Sequence, residues 1–96
     1  MKATTLKSKL EKNNQFQLID IRESYEFEDG HICKKNIPLA EVMEKIHQFD
    51  QDQEIVFYCN SGKRSKALVY MLRKKFDFKN IDHLDGGYQN WLDQNF

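Results

Sequence analysis

The chain has 96 residues, of which 15 are basic and 15 acidic, so its formal net charge is zero. A chain of this length predicts one domain with a modest core, and the balanced charge gives no support for a nucleic-acid partner or an anionic membrane surface. No apolar run approaches the ~20 residues of a membrane span, and the first residues lack the apolar core of a secretion signal, so we expect a soluble, cytoplasmic protein.

Helical and strand patterns alternate along the whole chain. Thr4 or Thr5 is expected to cap a first helix that has Leu6 and Leu10 on its inner face, and Asn13-Asn14 breaks its pattern. The predicted elements are a helix ending near residue 12, a strand over 16–21, a helical turn over 24–29, a very short strand over 31–33, an amphipathic helix over 39–49, a strand over 55–58, a helix over 64–76, a strand over 80–84 and a last helix that opens at Gly86-Gly87. This order predicts an α/β fold with a mainly parallel β-sheet flanked by helices on both faces.

Cys59 stands between the carboxyl end of the strand over 55–58 and the amino end of the helix that follows. In open α/β sheets ligands bind at this edge, and the free N–H groups of a helix amino terminus favour anions, including a thiolate. Lys63 and Arg64 add positive charge beside the thiol. Because the thiolate is the reactive form of cysteine, the sequence predicts Cys59 as a nucleophile.

The second cysteine, Cys33, lacks such surroundings and is interpreted as structural, although a role as the resolving thiol of a disulfide stays open. We expect both cysteines to be reduced in a cytoplasmic α/β protein. His31 and Cys33 are too few for a zinc site, which needs about four ligands, so no metal site is predicted. His31 is expected to lie in a short strand and to bind buried backbone groups.

Six short segments occur in a characteristic order and spacing. They are Leu18-Ile19-Asp20-Ile21-Arg22-Glu23, Glu26-Phe27, Gly30-His31-Ile32, Asn36-Ile37-Pro38-Leu39, Cys59-Asn60-Ser61-Gly62-Lys63-Arg64-Ser65, and Leu84-Asp85-Gly86-Gly87 before Trp91. Together they resemble the rhodanese-like domain family, in its single-domain sulfurtransferase form of the thiosulfate sulfurtransferase type. The similarity runs from about Leu6 to Trp91, and the combination of motifs is specific although each alone is weak.

The resemblance implies a rhodanese-like fold in which Cys59 takes a sulfane sulfur from a donor such as thiosulfate and holds it as a persulfide. A nucleophilic acceptor, cyanide or a thiol, then removes the sulfur, so ping-pong kinetics are expected. No cofactor is needed. The resemblance also implies that backbone N–H groups of the loop after Cys59 wrap around the sulfur, and that Lys63 and Arg64 attract the anionic donor. The substrate-binding residues carried over in this way are Asn60, Ser61, Gly62, Lys63, Arg64 and Ser65.

Asp20 and Arg22 match the family and are interpreted as supporting residues that brace neighbouring loops through charge-assisted hydrogen bonds, with Glu26 as a partner for Arg22. The chain departs from the family pattern at Asp77, where a glycine commonly ends the helix over 64–76. Aspartate tolerates the left-handed conformation better than most residues, so we expect only a small loss of stability there.

The same residues bear on four alternative functions. Cell-cycle dual-specificity phosphatases and arsenate reductases share this architecture, but they place arginine after five intervening residues, where this chain has Ser65. A phosphate-binding Walker loop is excluded because Arg64 follows Gly62-Lys63 and Phe57 stands at the required glycine position. A sulfur-carrier module that delivers persulfide to a partner protein uses the same residues and stays open, whereas Cys59 argues against an inert interaction domain.

Overall fold

The computed structural model describes residues 1–12 and 15–96, so the predicted break at Asn13-Asn14 lies outside the described residues. The elements in chain order are α1 (Ala3–Glu11), β1 (Phe16–Asp20), α2 (Ser24–Glu28), α3 (Leu39–Val42), a 3₁₀ helix (Met43–Gln48), β2 (Glu54–Tyr58), α4 (Lys63–Phe76), β3 (Ile81–His83) and α5 (Gly87–Asp93). Among these helices, none combines the length and the apolar character that crossing a membrane requires.

The described strands form one parallel sheet in the order β1-β2-β3. At its carboxyl edge Asp20 lies opposite Tyr58, and Phe57 lies opposite His83. Because parallel strands end at the same edge, the segments that follow all three strands meet there. Cys59 follows the central strand and therefore lies in the middle of this edge.

Helices cover both faces of the sheet, as predicted. Successive strand residues point to opposite faces, so Ile55 and Phe57 pack with Cys59 against α4 and the 3₁₀ helix. Val56 and Tyr58 pack on the other face against α1 and α5. Each strand residue of β2 from Ile55 onward is fully buried, which is why this strand is apolar throughout.

Residues 31–33 do not form the predicted strand. The chain instead pairs with β1 through an isolated bridge between Asn36 and Asp20. The Ile32 N–H group donates a hydrogen bond to the Tyr58 hydroxyl oxygen at 3.0 Å. A side-chain hydroxyl thus accepts the hydrogen bond that a carbonyl group of a neighbouring strand would have accepted.

The segment over 39–49 is helical and buries one side, but most of it is a 3₁₀ helix and not the predicted α-helix. Its side chains Met43, Ile46 and Phe49 are spaced by three, and a helix of three residues per turn aligns such side chains on one face. Ile46 and Phe49 are buried there. The apolar pattern therefore predicted the buried face and not the type of helix.

The start of α1 differs from the sequence prediction, whereas the end of α4 agrees with it. The first helix begins at Ala3 after Lys2, without a side-chain cap from either threonine, and Leu10 is 39% exposed, contrary to the prediction. At the end of α4, Asp77 adopts the left-handed conformation with φ of 57°, as predicted. An aspartate therefore ends this helix in the way that a glycine commonly does.

Candidate functional site

Backbone N–H groups of the loop after β2 point inward at the Cys59 sulfur. The Gly62 N–H donates to Sγ at 3.1 Å and the Ser65 N–H donates at 3.4 Å. The Ser65 hydroxyl lies 3.5 Å from the same sulfur. These donors converge because the chain turns at Gly62 directly into the first turn of α4, whose N–H groups have no partner within the helix.

These hydrogen bonds favour the ionised form of Cys59. Burial by itself raises the pKa of the thiol. The Ser65 hydroxyl, the Ser65 and Gly62 amides and the backbone N–H of Arg64 outweigh burial, so the pKa lies below the ordinary value for cysteine. The loop therefore stabilises a thiolate in a site withdrawn from water.

The Ser65 hydroxyl can serve either protonation state of the sulfur. It lies within hydrogen-bond distance of Sγ and also of the Gly62 carbonyl oxygen, at 3.3 Å. Beside a neutral thiol the hydroxyl donates to the carbonyl and its oxygen accepts from S–H; beside a thiolate the hydroxyl turns and donates to the sulfur. One side chain thus supports deprotonation without moving the backbone.

The loop surrounds Cys59 so closely that the residue has no exposed surface. Ser65 and Gly62 are buried with it, Asn60 and Arg64 are partly exposed, and Ser61 and Lys63 are exposed. The structure therefore brings the sulfur together with Gly62, Arg64 and Ser65, and leaves Ser61 and Lys63 at the outside of the loop. The loop therefore encloses the Cys59 sulfur.

The start of α5 holds the loop in place, a contact that the sequence analysis did not identify. The Tyr88 N–H donates to the Cys59 carbonyl at 2.8 Å, and the Gln89 N–H donates to the Asn60 carbonyl at 3.0 Å. A Cβ atom at Gly87 would lie 2.5 Å from the Cys59 carbonyl oxygen, so only glycine permits this approach. The adjacent glycines Gly86-Gly87 were the sequence signal that could have indicated it.

Gly62 has a positive φ of 95°, and a Cβ atom there would lie 3.0 Å from the Gly86 nitrogen. Both the backbone conformation and the space therefore require glycine at this position. The prediction that Gly62 lets the backbone close tightly agrees with this geometry.

Glu26 pairs with Arg64 and not with Arg22, which corrects the expected partnership. The two guanidinium nitrogens of Arg64 lie 3.2 Å from the two carboxylate oxygens of Glu26. The hydrogen bond from Arg64 is the main cause that lowers the pKa of Glu26. The pair thus ties α2 to the first turn of α4 beside Cys59.

Asp20 and Arg22 form a buried ion pair at the end of β1, with a nitrogen-to-oxygen distance of 2.7 Å. Arg22 also donates to the Gly30 carbonyl at 2.7 Å and lies 4.4 Å from the centre of the Tyr88 ring. Neither side chain is hydrogen-bonded to the Cys59 sulfur. They brace the Gly30 turn and the start of α5, consistent with the supporting role expected for them.

Cys33 belongs to the other face of the sheet, in contact with Tyr58, whereas Cys59 packs on the face of α4. Both cysteines are free. The structure therefore does not bring the two thiols together. His31 is exposed, stacks on Phe27 with ring centres 4.0 Å apart and has Nδ1 2.8 Å from the Phe27 carbonyl, so it binds a helix end and not strand groups.

Two cavities border the Arg64–Glu26 pair. An apolar groove of about 530 Å³ runs along α4, with Arg64 and Lys63 at its charged end. A polar cleft of about 660 Å³ is lined by Glu26, Arg22 and Asn60. Within residues 1–12 and 15–96, no three His, Cys, Asp or Glu side chains converge as metal ligands.

Known proteins resemble this chain in sequence and in fold. The sequence pattern of the family described as Rhodanese-like domain matches residues 2–94. Two Bacillus subtilis (strain 168) proteins are similar: "Putative sulfurtransferase YtwF" (36% identical, covering 90% of this chain and 82% of that protein) and "Putative sulfur carrier protein YrkF" (30% identical, 88% and 46%). The chain thus spans most of the length of YtwF but less than half of the length of YrkF.

A solved structure shows the same fold. The crystal structure of a rhodanese-related protein from Thermoplasma volcanium superposes with a TM-score of 0.86 at 29% identity, covering 100% of this chain and 92% of that chain. The parallel sheet, the helices on both faces and the loop after β2 are thus found together with a family pattern that spans nearly all of the sequence. The chain belongs to the rhodanese-like domain family.

Proposed function

We propose that the protein is a sulfurtransferase that moves a sulfane sulfur from an anionic donor such as thiosulfate to cyanide or a thiol through a persulfide on Cys59. The observation that carries this proposal is the ring of N–H and O–H donors on the Cys59 sulfur. The family membership supports it, and so does the name of the relative YtwF. The cytoplasmic location expected from the sequence is part of the same proposal.

The reaction has two displacements. The Cys59 thiolate attacks the outer sulfur of thiosulfate, a new S–S bond forms, and the bond to the sulfite sulfur breaks with its electron pair, so sulfite leaves. The acceptor then attacks the outer sulfur of the persulfide; cyanide becomes thiocyanate and the Cys59 thiolate is restored. The loop donors stabilise the anionic sulfur before and after each displacement, and Arg64 provides a cation for the donor.

Steady-state transfer from thiosulfate to cyanide tests the proposal. Initial rates of thiocyanate formation should give parallel double-reciprocal lines as the two substrates are varied, because a covalent form of the enzyme separates the two steps. Intersecting lines would contradict a persulfide intermediate, and absence of thiocyanate would exclude thiosulfate as the donor. No hydrolysis of an aryl phosphate is expected; hydrolysis that disappears in Cys59→Ser would favour the phosphatase alternative.

A sulfur-carrier function is the second candidate. The apolar groove beside Arg64 favours a protein acceptor, because a partner chain can pack its apolar side chains there. The name of the relative YrkF also supports a sulfur-carrier function. Comparison of the rate of transfer to cyanide with the rate of transfer to a thiol protein distinguishes the two candidates.

A further inference from the structure

Glu26 is fixed beside the loop of Cys59 by its own helix. It is the third residue of α2, and its Oε1 accepts the Glu23 backbone N–H at 3.0 Å in a capping box. The same carboxylate holds Arg64 through two contacts of 3.2 Å. The carboxylate is therefore placed by the backbone of α2 and not by a mobile surface side chain.

The Arg64 guanidinium pairs with this carboxylate and lies close enough to Cys59 to be affected by the charge of its thiolate. The pKa of Arg64 is raised, first by its hydrogen bond with Glu26 and further by the charge of the Cys59 thiolate. The Arg64 side chain is 37% exposed and that of Glu26 is 20% exposed, whereas Cys59 has no exposed surface. The ion pair is thus the partly exposed charged group beside a buried nucleophile.

The pair also stands between the two cavities, because Arg64 lines the apolar groove and Glu26 lines the polar cleft. An anion that approaches Cys59 meets a cation whose charge is already balanced by a carboxylate. An anion that binds Arg64 competes with Glu26 for the guanidinium charge, whereas a neutral molecule does not.

We propose that Glu26 sets the charge selectivity of the Cys59 site by competing with anionic reagents for Arg64. The inference deepens the proposed function, on which it rests only for the identity of the physiological donor. Arg64 exchanges its Glu26 partner for the donor anion and returns to Glu26 when sulfite leaves. Glu26 is therefore a specificity-determining residue that acts through Arg64 and does not touch the reacting sulfur.

Alkylation of Cys59 by two reagents that differ in charge tests this without any sulfur transfer. In a Cys33→Ala background, the rates with anionic iodoacetate and neutral iodoacetamide are measured at low ionic strength, and their ratio is the readout. Glu26→Gln keeps a side-chain oxygen for the capping box and should raise the ratio about fivefold, the scale of one partly exposed ion pair. Glu28→Gln, an exposed carboxylate of the same helix, is the matched control and should change the ratio less than about twofold.

Two further variants decide whether the effect passes through Arg64. Arg64→Gln alone should lower the ratio, because the anion loses its cation while Glu26 stays; an unchanged ratio would overturn the inference even if Glu26→Gln failed to fold. In the Arg64→Gln background, Glu26→Gln should have a smaller effect than in the parent. An undiminished effect would show that Glu26 repels anions directly, and an equal rise of both alkylation rates would show that it only holds the loop closed; either result overturns the exchange.

The outcome for sulfur transfer is separate. Where thiosulfate is a substrate, Glu26→Gln should lower the KM for thiosulfate by about the same factor as the alkylation ratio rises, with little change in kcat. A protein that fails to use thiosulfate but shows the charge effect on alkylation would disprove the proposed donor and support the inference about Glu26.

Discussion

The two cysteines of this chain lie on opposite faces of the sheet and bind opposite kinds of group. The Cys59 sulfur accepts hydrogen bonds from the Gly62 and Ser65 amides. The Cys33 thiol instead donates to the Lys35 carbonyl at 3.3 Å and lies 3.7 Å from the Tyr58 hydroxyl oxygen. Hydrogen-bond donors surround the Cys59 sulfur, whereas the Cys33 thiol donates to an acceptor.

The pKa values of the two thiols shift in opposite directions, although burial raises both. Burial raises the pKa of the Cys33 thiol, and its hydrogen bonds do not compensate. Cys59 is more completely buried by surface area, yet its pKa is lowered. Hydrogen bonds lower the pKa of both thiols, but only those around Cys59 outweigh the effect of burial.

Removal of each cysteine gives the largest expected contrast. Cys59→Ala should abolish sulfur transfer, because no nucleophile is left in the loop, and should leave the protein folded. Cys33→Ala should retain transfer within about twofold, since Cys33 lies on the opposite face of the sheet. Rates of thiocyanate formation and circular dichroism of both variants measure this. Retained sulfur transfer in Cys59→Ala, or its loss in Cys33→Ala, would contradict the different roles assigned to the two cysteines.

The next largest effect is expected from a change in the conformation of the loop after β2. Gly62→Val should lower the free energy of unfolding by about 2 kcal/mol or more, because a β-branched side chain is strained at positive φ and would contact the Gly86 backbone. Urea denaturation measures this loss, and transfer activity should fall with it. The neighbouring exposed position is the control: Ser61→Val should change stability by less than about 0.5 kcal/mol. Equal unfolding midpoints in the two variants would mean that the loop does not require glycine.

The Ser65 hydroxyl has a smaller expected effect. Ser65→Ala removes one donor to the thiolate and should lower the rate of transfer at neutral pH about tenfold, the scale of one hydrogen bond to a charged group. Ser61→Ala, at an exposed position of the same loop, should change the rate less than about twofold. If both alanine variants had the same rate as the parent, the hydroxyl would not stabilise the thiolate.

The pH dependence of alkylation measures the difference in ionisation between the two thiols. A lowered pKa means that Cys59 loses its proton at lower pH than an ordinary thiol, and a raised pKa means the reverse for Cys33. Iodoacetamide rates of Cys33→Ala, in which Cys59 reacts, should reach half of their maximum below pH 9.0, the reference value for cysteine. Those of Cys59→Ala, in which Cys33 reacts, should do so above pH 9.0. The opposite order would contradict the assignment of the two environments.

Local pattern predicted most of the fold because β2 is apolar, α4 has apolar residues at helical spacing, and both elements have clear boundaries. The predicted helix over 64–76 differs by one residue from α4 (Lys63–Phe76), and the strand over 55–58 lies within β2 (Glu54–Tyr58). The very short strand over 31–33 was wrong because a side chain, the Tyr58 hydroxyl, binds Ile32. Such a distant side-chain contact leaves no trace in local periodicity.

The position of Cys59 at the sheet edge was predictable from the order of strand and helix, but the partners around it were not. The pairing of Glu26 with Arg64 joins residues 38 positions apart, and the support of the loop by Tyr88 joins residues 29 positions apart. The resemblance brought these segments into one motif, yet only the packing of α2 and α5 against the loop shows which groups meet. The sequence therefore indicated the proposed nucleophile before it could indicate its neighbours.

The central claim is that Cys59, and not Cys33, accepts the sulfur. Intact-mass measurement after thiosulfate treatment tests it most directly. We predict the added mass of one sulfur atom on the parent protein and on Cys33→Ala, removed by cyanide, and no added mass on Cys59→Ala. A sulfur adduct on Cys59→Ala, or its absence from Cys33→Ala, would contradict the assignment of Cys59 as the residue that accepts the sulfur.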